Sequence, residues 1–281
     1  MSESRALPKT AAIQMNSGAD VAANLAAART LLERARAEGA QLAVLPENFA
    51  IMGRREADKL AVAETLGEGP IQDFLSRTAR ELGMWIIGGT APIRSETRPD
   101  RVAAASLVFD DAGRFVARYD KIHLFDVDLP DREERYRESA TIAAGSKPVV
   151  VETPFGRVGL AVCYDVRFPE LFRHLLAEGA QILCVPAAFT AATGRAHWET
   201  LIRARAIENL CYVIAPAQSG VHASGRETYG HSMIVDPWGH VLACVEEVGA
   251  GVAVGEIDLT LQQQVRERFP SLAHRRFRIA V

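Results

Sequence analysis

The sequence predicts an α/β protein made of two similar halves whose sheets pack face to face, with helices on the outside. Three observations carry this reading. Strand-like apolar runs alternate with amphipathic helix-like stretches along the chain. A helix end, a strand and a proline at the strand exit occupy residues 38–49, and the same grammar returns at 178–189. No Pro/Gly/Ser-rich linker, low-complexity tract or abrupt shift of composition separates the copies, so residues 1–281 read as a single domain.

The elements follow in order. Residues 11–15 form a first strand. Asp20 offers an N-cap oxygen to a helix whose Val21, Leu25, Ala28, Leu32 and Ala35 share one face, and Gly39 ends it. Residues 42–45 are the second strand. Pro70 is preset for a first helical turn; Ile71, Phe74, Leu75 and Leu82 supply the apolar face, and Gly83 stops the helix before a strand at 85–88. Residues 106–109 and 115–119 flank Gly113 as a hairpin. In the second copy, the strand 158–162 runs straight into Cys163. Pro169 then opens a helix carrying Leu171, Phe172, Leu175 and Leu176. Strand-like runs around Cys184, Cys211 and Cys244 complete the series.

Composition narrows the function classes. A chain of 281 residues with 48% hydrophobic content can bury a large core. A formal net charge of -3 gives no general attraction to nucleic acid or to an anionic membrane. The basic run Arg266, Arg268, Arg275, Arg276 and Arg278 is interleaved with Phe269, Leu272 and Phe277, and reads as a solvated face or a subunit contact. Residues 1–5 lack the apolar core of a signal peptide, and no apolar run approaches the ~20 residues that span a bilayer. The expectation is a soluble, cytoplasmic protein. The four cysteines are widely spaced without a Cys-x-x-Cys, which argues against a disulfide framework or a metal site.

Cys184, Cys211 and Cys244 sit within strand-like runs and read as small buried hydrophobes. Cys163 is different. At the join between a strand end and a helix start, its thiol lies close to unpaired helix N–H groups, which favour a thiolate and a developing oxyanion. Glu47 and Lys121 also follow strands, after residues 42–46 and after the strand ending at Tyr119. Each alone is an ordinary loop carboxylate or surface lysine. At one sheet edge with Cys163 they supply a base, a cation and a nucleophile.

The segments Pro46-Glu47, Tyr119-Asp120-Lys121-Ile122-His123-Leu124 and Cys163-Tyr164-Asp165-Val166-Arg167-Phe168-Pro169-Glu170 resemble the carbon-nitrogen hydrolases of the nitrilase superfamily. The likeness runs from Ala11 to about Arg276, with three motifs in family order. It implies a four-layer αββα sandwich, a homodimer formed through helices flanking the nucleophile, and a Glu-Lys-Cys triad without metal or organic cofactor. Glu47 then takes the thiol proton, Cys163 attacks an amide carbonyl, and Lys121 with the Tyr164 backbone N–H holds the oxyanion. Because a nearby cation lowers the pKa of a base, burial of Glu47 has to counter Lys121. Glu138 matches the family's additional glutamate, which orients the lysine and the substrate amide; without the resemblance it reads as an exposed loop charge.

Tyr164-Asp165 stands where true nitrilases commonly carry Trp-Glu, and this resembles the branch of ω-amidases and deaminated-glutathione amidases. Residues 215–222 and 229–239 look closer to the latter, which implies hydrolysis of a 2-oxoglutaryl amide to 2-oxoglutarate and cysteinylglycine. Such a small-molecule substrate carries carboxylates. Arg167, just before the helix, is the chosen cation, its alternative being an ion pair with Asp165 or Glu170. Phe189 and Thr190 are the candidate acyl-pocket residues, and Arg173, Arg195 and Arg226 are further, unranked candidates. Alternatives stay open: an ω-amidase, an N-carbamoyl amidohydrolase, a Cys-His hydrolase using His197 or His231, or a catalytically inactive binding scaffold.

Overall fold

Burial with a period of two decides the layering. Along the strand Lys9–Gln14, Ala11 and Ile13 join one core while Ala12 joins another. The same division separates Ala43 from Leu42 and Val44, Ile86 from Ile87, and Leu107 from Val108. One core holds Ala28, Leu32 and Ala35 of the helix Val21–Ala37, and Ile71, Phe74 and Leu75 of the helix Pro70–Leu82. The other holds residues of both large sheets, among them Val44 and Tyr119 with Leu160, Leu183 and Ile214. Strands buried on both faces, against helices on one side and a second sheet on the other, make a four-layer αββα sandwich. The computed structural model describes residues 6–128 and 135–277. The reading of residues 1–5 and the basic position Arg278 lie outside the described residues.

Among the described residues, the first sheet has seven strands. Its spatial order is Gly251–Glu256, Lys9–Gln14, Ala40–Val44, Trp85–Ile87, Val102–Phe109 and Ala91–Arg94, with Phe115–Asp120 also paired to Val102–Phe109. The second has six, in the order Val241–Cys244, Met233–Val235, Tyr212–Ala215, Ile182–Cys184, Gly156–Leu160 and Val149–Thr153. The central strands of each run parallel: Lys9–Gln14 with Ala40–Val44 and Trp85–Ile87, and Gly156–Leu160 with Ile182–Cys184 and Tyr212–Ala215. Parallel strands release their carboxyl ends at one edge, where open sheets of this kind bind ligands. Glu47, Cys163 and the segment from Pro186 to Thr190 all leave strands at such ends.

The two halves are not contiguous in sequence. Gly251–Glu256 pairs antiparallel with Lys9–Gln14, so the C-terminal strand completes the first sheet. Local grammar could not show this, because the pairing joins segments about 240 residues apart, as in Ala11 opposite Val254.

The expected helix signals operate. Asp20 accepts the N–H of Ala23 at 3.2 Å, Pro70 opens its helix, and Gly83 closes it in the left-handed region at φ 55°. Of the basic C-terminal run, Arg266 turns inward, donating to the carbonyls of Leu210 and Ala180. Among the described residues, no helix is long and apolar enough to cross a membrane.

Candidate active site

Cys163 stands on a sharp corner. Val162 ends the strand in extended backbone, Cys163 adopts φ 49°, and a 3-10 turn, Cys163–Arg167, leads into the helix Pro169–Ala177. A left-handed L-residue costs on the order of 1–2 kcal/mol, so surrounding bonds must hold the corner. The Cys163 N–H donates to the Pro186 carbonyl at 2.8 Å, and the Val162 N–H donates to Asp165 Oδ2 at 2.8 Å. Asp165, fully buried, also accepts the Tyr119 hydroxyl at 2.7 Å and the His123 N–H at 3.0 Å, with the His123 ring nitrogen Nδ1 2.7 Å away. The corner is thereby tied to the segment that carries Lys121.

Glu47 is fixed by its backbone. The next residue, Asn48, has φ 58°, and its N–H donates to Thr90 Oγ1 at 2.8 Å. The Glu47 carbonyl accepts Gln218 Nε2 at 3.0 Å. Gly89 permits this approach: a Cβ there would lie 1.9 Å from the Pro46 carbonyl oxygen. Lys121 donates its N–H to the Ala104 carbonyl at 3.1 Å. Its ammonium lies 2.8 Å from Glu47 Oε1 and 2.9 and 2.8 Å from the two oxygens of Glu138. Glu138 itself, in the 3-10 turn Glu138–Ala140, accepts the Phe125 N–H at 2.7 Å.

The electrostatics of the three groups are linked. Burial works to raise the Glu47 carboxyl, but the Lys121 ammonium and a hydrogen bond with the Cys163 thiol hold it below the usual carboxylate range. Burial would depress Lys121, yet Glu138 and Glu47 keep it well above the ordinary lysine value. Cys163 is pushed up, first by burial and then by the Glu47 charge, which outweigh Lys121 and the Ala188 N–H. The resting arrangement is therefore thiol, carboxylate and ammonium. This corrects the expectation that the strand-to-helix join favours a thiolate: the helix end is real, but desolvation and an adjacent anion dominate. Burial of Glu47 likewise opposes Lys121 without overcoming it.

A single cavity is lined by Glu47, Lys121, Glu138 and Cys163, together with Arg167, Phe189 and Thr190. Of the residues singled out from sequence, Tyr164 is absent from this lining; its ring packs on Phe125 and Phe168 at 5.1 and 5.3 Å. Arg167 pairs with neither Asp165 nor Glu170. Among the described residues it has no carboxylate partner; it lies 3.3 Å from His197 Nδ1 and 5.2 Å from the Phe189 ring centre. Phe189 packs on the buried Trp198, and Thr190 caps the helix Ala191–Asn209. Of the unranked arginines, only Arg226 reaches the cavity; Arg173 bonds Glu208, and Arg195 sits 3.9 Å from Glu227.

Among the described residues, no histidine lines the cavity: His197 contacts Arg167, and His231 stacks on Tyr229 at 4.3 Å. Sequence reasoning missed Lys59, which is 7% exposed in the cavity wall, and its partner Glu56 at 2.5 Å. Their i,i+3 spacing is a weak signal that many solvated helices share. Among the described residues, no group of three or more His, Cys, Asp or Glu side chains is placed to hold a metal ion.

Residues 9–267 match the family described as carbon-nitrogen hydrolase. The chain belongs to that family. This carbon-nitrogen hydrolase is 46% identical over 269 residues to a deaminated glutathione amidase of Synechocystis sp., covering 95% of this chain and 97% of that protein. Its identity to the human deaminated glutathione amidase is 42% over 277 residues, 98% of this chain and 84% of that one. Its fold superposes on Saccharomyces cerevisiae Nit3, a member of branch 10 of the nitrilase superfamily, with a TM-score of 0.86 and 32% identity. That match covers 98% of this chain and all of the other.

Proposed function

We propose that this carbon-nitrogen hydrolase is a cysteine-dependent amidase acting on deaminated glutathione, with 2-oxoglutarate and cysteinylglycine as products. The observation that carries the mechanism is the convergence of Glu47, Lys121 and Cys163 in one cavity that also presents Arg167, a cation with no acidic partner among the described residues. The relatives bearing that name cover nearly the full chain, which supports the substrate.

Starting from thiol and carboxylate, Glu47 takes the Cys163 proton as sulfur bonds the amide carbon. The carbonyl electron pair moves to oxygen, where Lys121 Nζ and the Tyr164 N–H stabilise it; one such donor is worth about 3 kcal/mol of barrier. As the tetrahedral adduct collapses, the C–N bond breaks and Glu47 returns the proton to the departing amine. Water then gives a proton to Glu47 and attacks the thioester carbon. Collapse of the second adduct releases the carboxylic acid and restores the thiol with the proton from Glu47. Glu138 fixes Lys121 through both its oxygens, so the ammonium stays aimed while Glu47 changes charge. Arg167 receives the 2-oxo acid carboxylate, with Phe189 and Thr190 along the acyl chain.

We also read residues 1–281 as one catalytic domain of a cytoplasmic homodimer, supported for the domain by the core that both sheets share. Parallel assays with deaminated glutathione and 2-oxoglutaramate test the substrate. A specificity constant higher for the former supports the reading, and a higher value for the latter makes this an ω-amidase. Turnover by Cys163→Ala or Glu47→Gln near the wild-type rate would overturn the mechanism.

A further inference from the structure

The catalytic cavity does not end at the triad. It adjoins a second cleft, and Asn48, Glu56, Lys59, Arg135, Tyr136 and Arg226 line both. That second cleft also carries Arg54 and Arg55, so among the described residues its lining holds several cations against one acid, Glu56. Most of these charges are already matched: Lys59 pairs with Glu56, Arg55 with Asp58, and Arg135 lies 3.9 Å from Asp128.

Arg226 is different. Among the described residues it has no carboxylate partner within ion-pair distance, and its buried Nε has no acceptor. Its Nη2 donates to the Ala188 carbonyl, and its guanidinium carbon sits 5.1 Å from the Tyr136 ring centre. A guanidinium held rigidly by a ring and a carbonyl, with a fork nitrogen left unpaired, is prepared for an anion. Arg167 lines the catalytic cavity and not the second cleft, whereas Arg226 stands where the two meet.

We infer that Arg226 anchors a carboxylate on the amine side of the scissile bond, and that the adjoining cationic cleft receives the rest of this leaving group. The inference deepens the amidase reading and rests on it. It narrows the substrate class to amides with an anion at each end: one carboxylate on the acyl half for Arg167, and one on the amine half for Arg226. Amides that release only ammonia leave this second anchor unused.

Binding separates this idea from the chemistry. In the inert Cys163→Ala background, calorimetric titration compares 2-oxoglutaryl-cysteinylglycine with its C-terminal carboxamide. With Arg226 present, the acid binds about 10- to 100-fold more tightly, the range for a hydrogen bond to a charged group. In Arg226→Gln that preference falls below about threefold, while Arg226→Lys keeps part of it because the charge remains. Arg167→Gln weakens acid and carboxamide alike. Equal affinities with Arg226 present, an undiminished preference in Arg226→Gln, or binding of neither ligand would overturn the inference. None of these readouts depends on turnover, so a failure of the Cys163 chemistry is seen separately in the wild-type assays.

Discussion

Tyr119 donates its hydroxyl to Asp165 Oδ2 at 2.7 Å, and through this one bond the strand leading to Lys121 grips the turn that presents Cys163. Both side chains are fully buried. The same carboxylate also receives the N–H groups of Val162 and His123. Cys163 and Lys121, 42 positions apart, are thus held in register by a buried carboxylate that bonds to both segments.

Tyr119→Phe removes that donor and leaves a buried carboxylate oxygen with one bond fewer. The expected cost is about 1–3 kcal/mol of stability, read from urea unfolding. A fall in kcat larger than any change in KM accompanies it, since the turn's alignment loosens while the acyl pocket stays. Unchanged stability would show that the bond contributes nothing to the corner.

Lys121→Met leaves Glu47 and Glu138 buried without the cation that sits 2.8 Å from each. Breaking a buried ionic group from one side typically costs about 3–5 kcal/mol. Adding Glu138→Gln to Lys121→Met removes one of the stranded charges and should recover part of that loss. A double variant no more stable than the single one would show that the two carboxylates are not coupled through Lys121.

pH dependence follows from the directions of the shifts. The Glu47 carboxyl is held below its ordinary 4.5, so its contribution to stability is complete above that pH and is lost as pH falls through the lower folded value. Lys121 is raised above 10.5, so its contribution is complete below that pH and is lost as pH rises through the folded value. Between these limits the site adds a constant amount. The stability difference between wild type and Glu47→Gln should be flat near neutrality and shrink both in acid, as Glu47 protonates, and in alkali, as Lys121 deprotonates. Because Cys163 rests as a thiol, its alkylation by iodoacetamide should show no thiolate plateau between pH 6 and pH 9, a range set relative to the ordinary thiol value of 9.0. A plateau there would mean that a preformed thiolate attacks.

Cys163→Gly should be more stable than Cys163→Ala by about 1 kcal/mol, measured by chemical denaturation. The position has φ 49°, where glycine meets no Cβ penalty. Equal stability of the two variants would mean that the corner is unstrained.

The gathering of Glu47, Lys121 and Cys163 in one cavity was legible in the sequence because these residues follow strand ends, and strand ends are marked locally. Glu47 follows Pro46, Lys121 follows the strand ending at Asp120, and Cys163 lies between an apolar run and Pro169. What stayed hidden depends on contacts distant along the chain. Asp165 looked like a partner for Arg167 two residues away, yet its bonds go to Tyr119 and His123. Arg226 gained its place only once the Ala188 carbonyl and the Tyr136 ring came alongside. Local helix geometry does not set the thiol's protonation, since the burial that raises it comes from the whole sandwich. The C-terminal strand Gly251–Glu256 is a short run of mostly small and apolar residues, and nothing in it names Lys9–Gln14 as its neighbour.

Rapid acid quench of the enzyme turning over deaminated glutathione, followed by peptide mass spectrometry, addresses the acyl transfer itself. The expected result is a 2-oxoglutaryl thioester confined to the peptide containing Cys163, absent from Cys163→Ala and lost on hydroxylamine treatment. Steady turnover with no adduct on that peptide at any quench time, or continued hydrolysis by Cys163→Ala, would contradict nucleophilic catalysis by this cysteine.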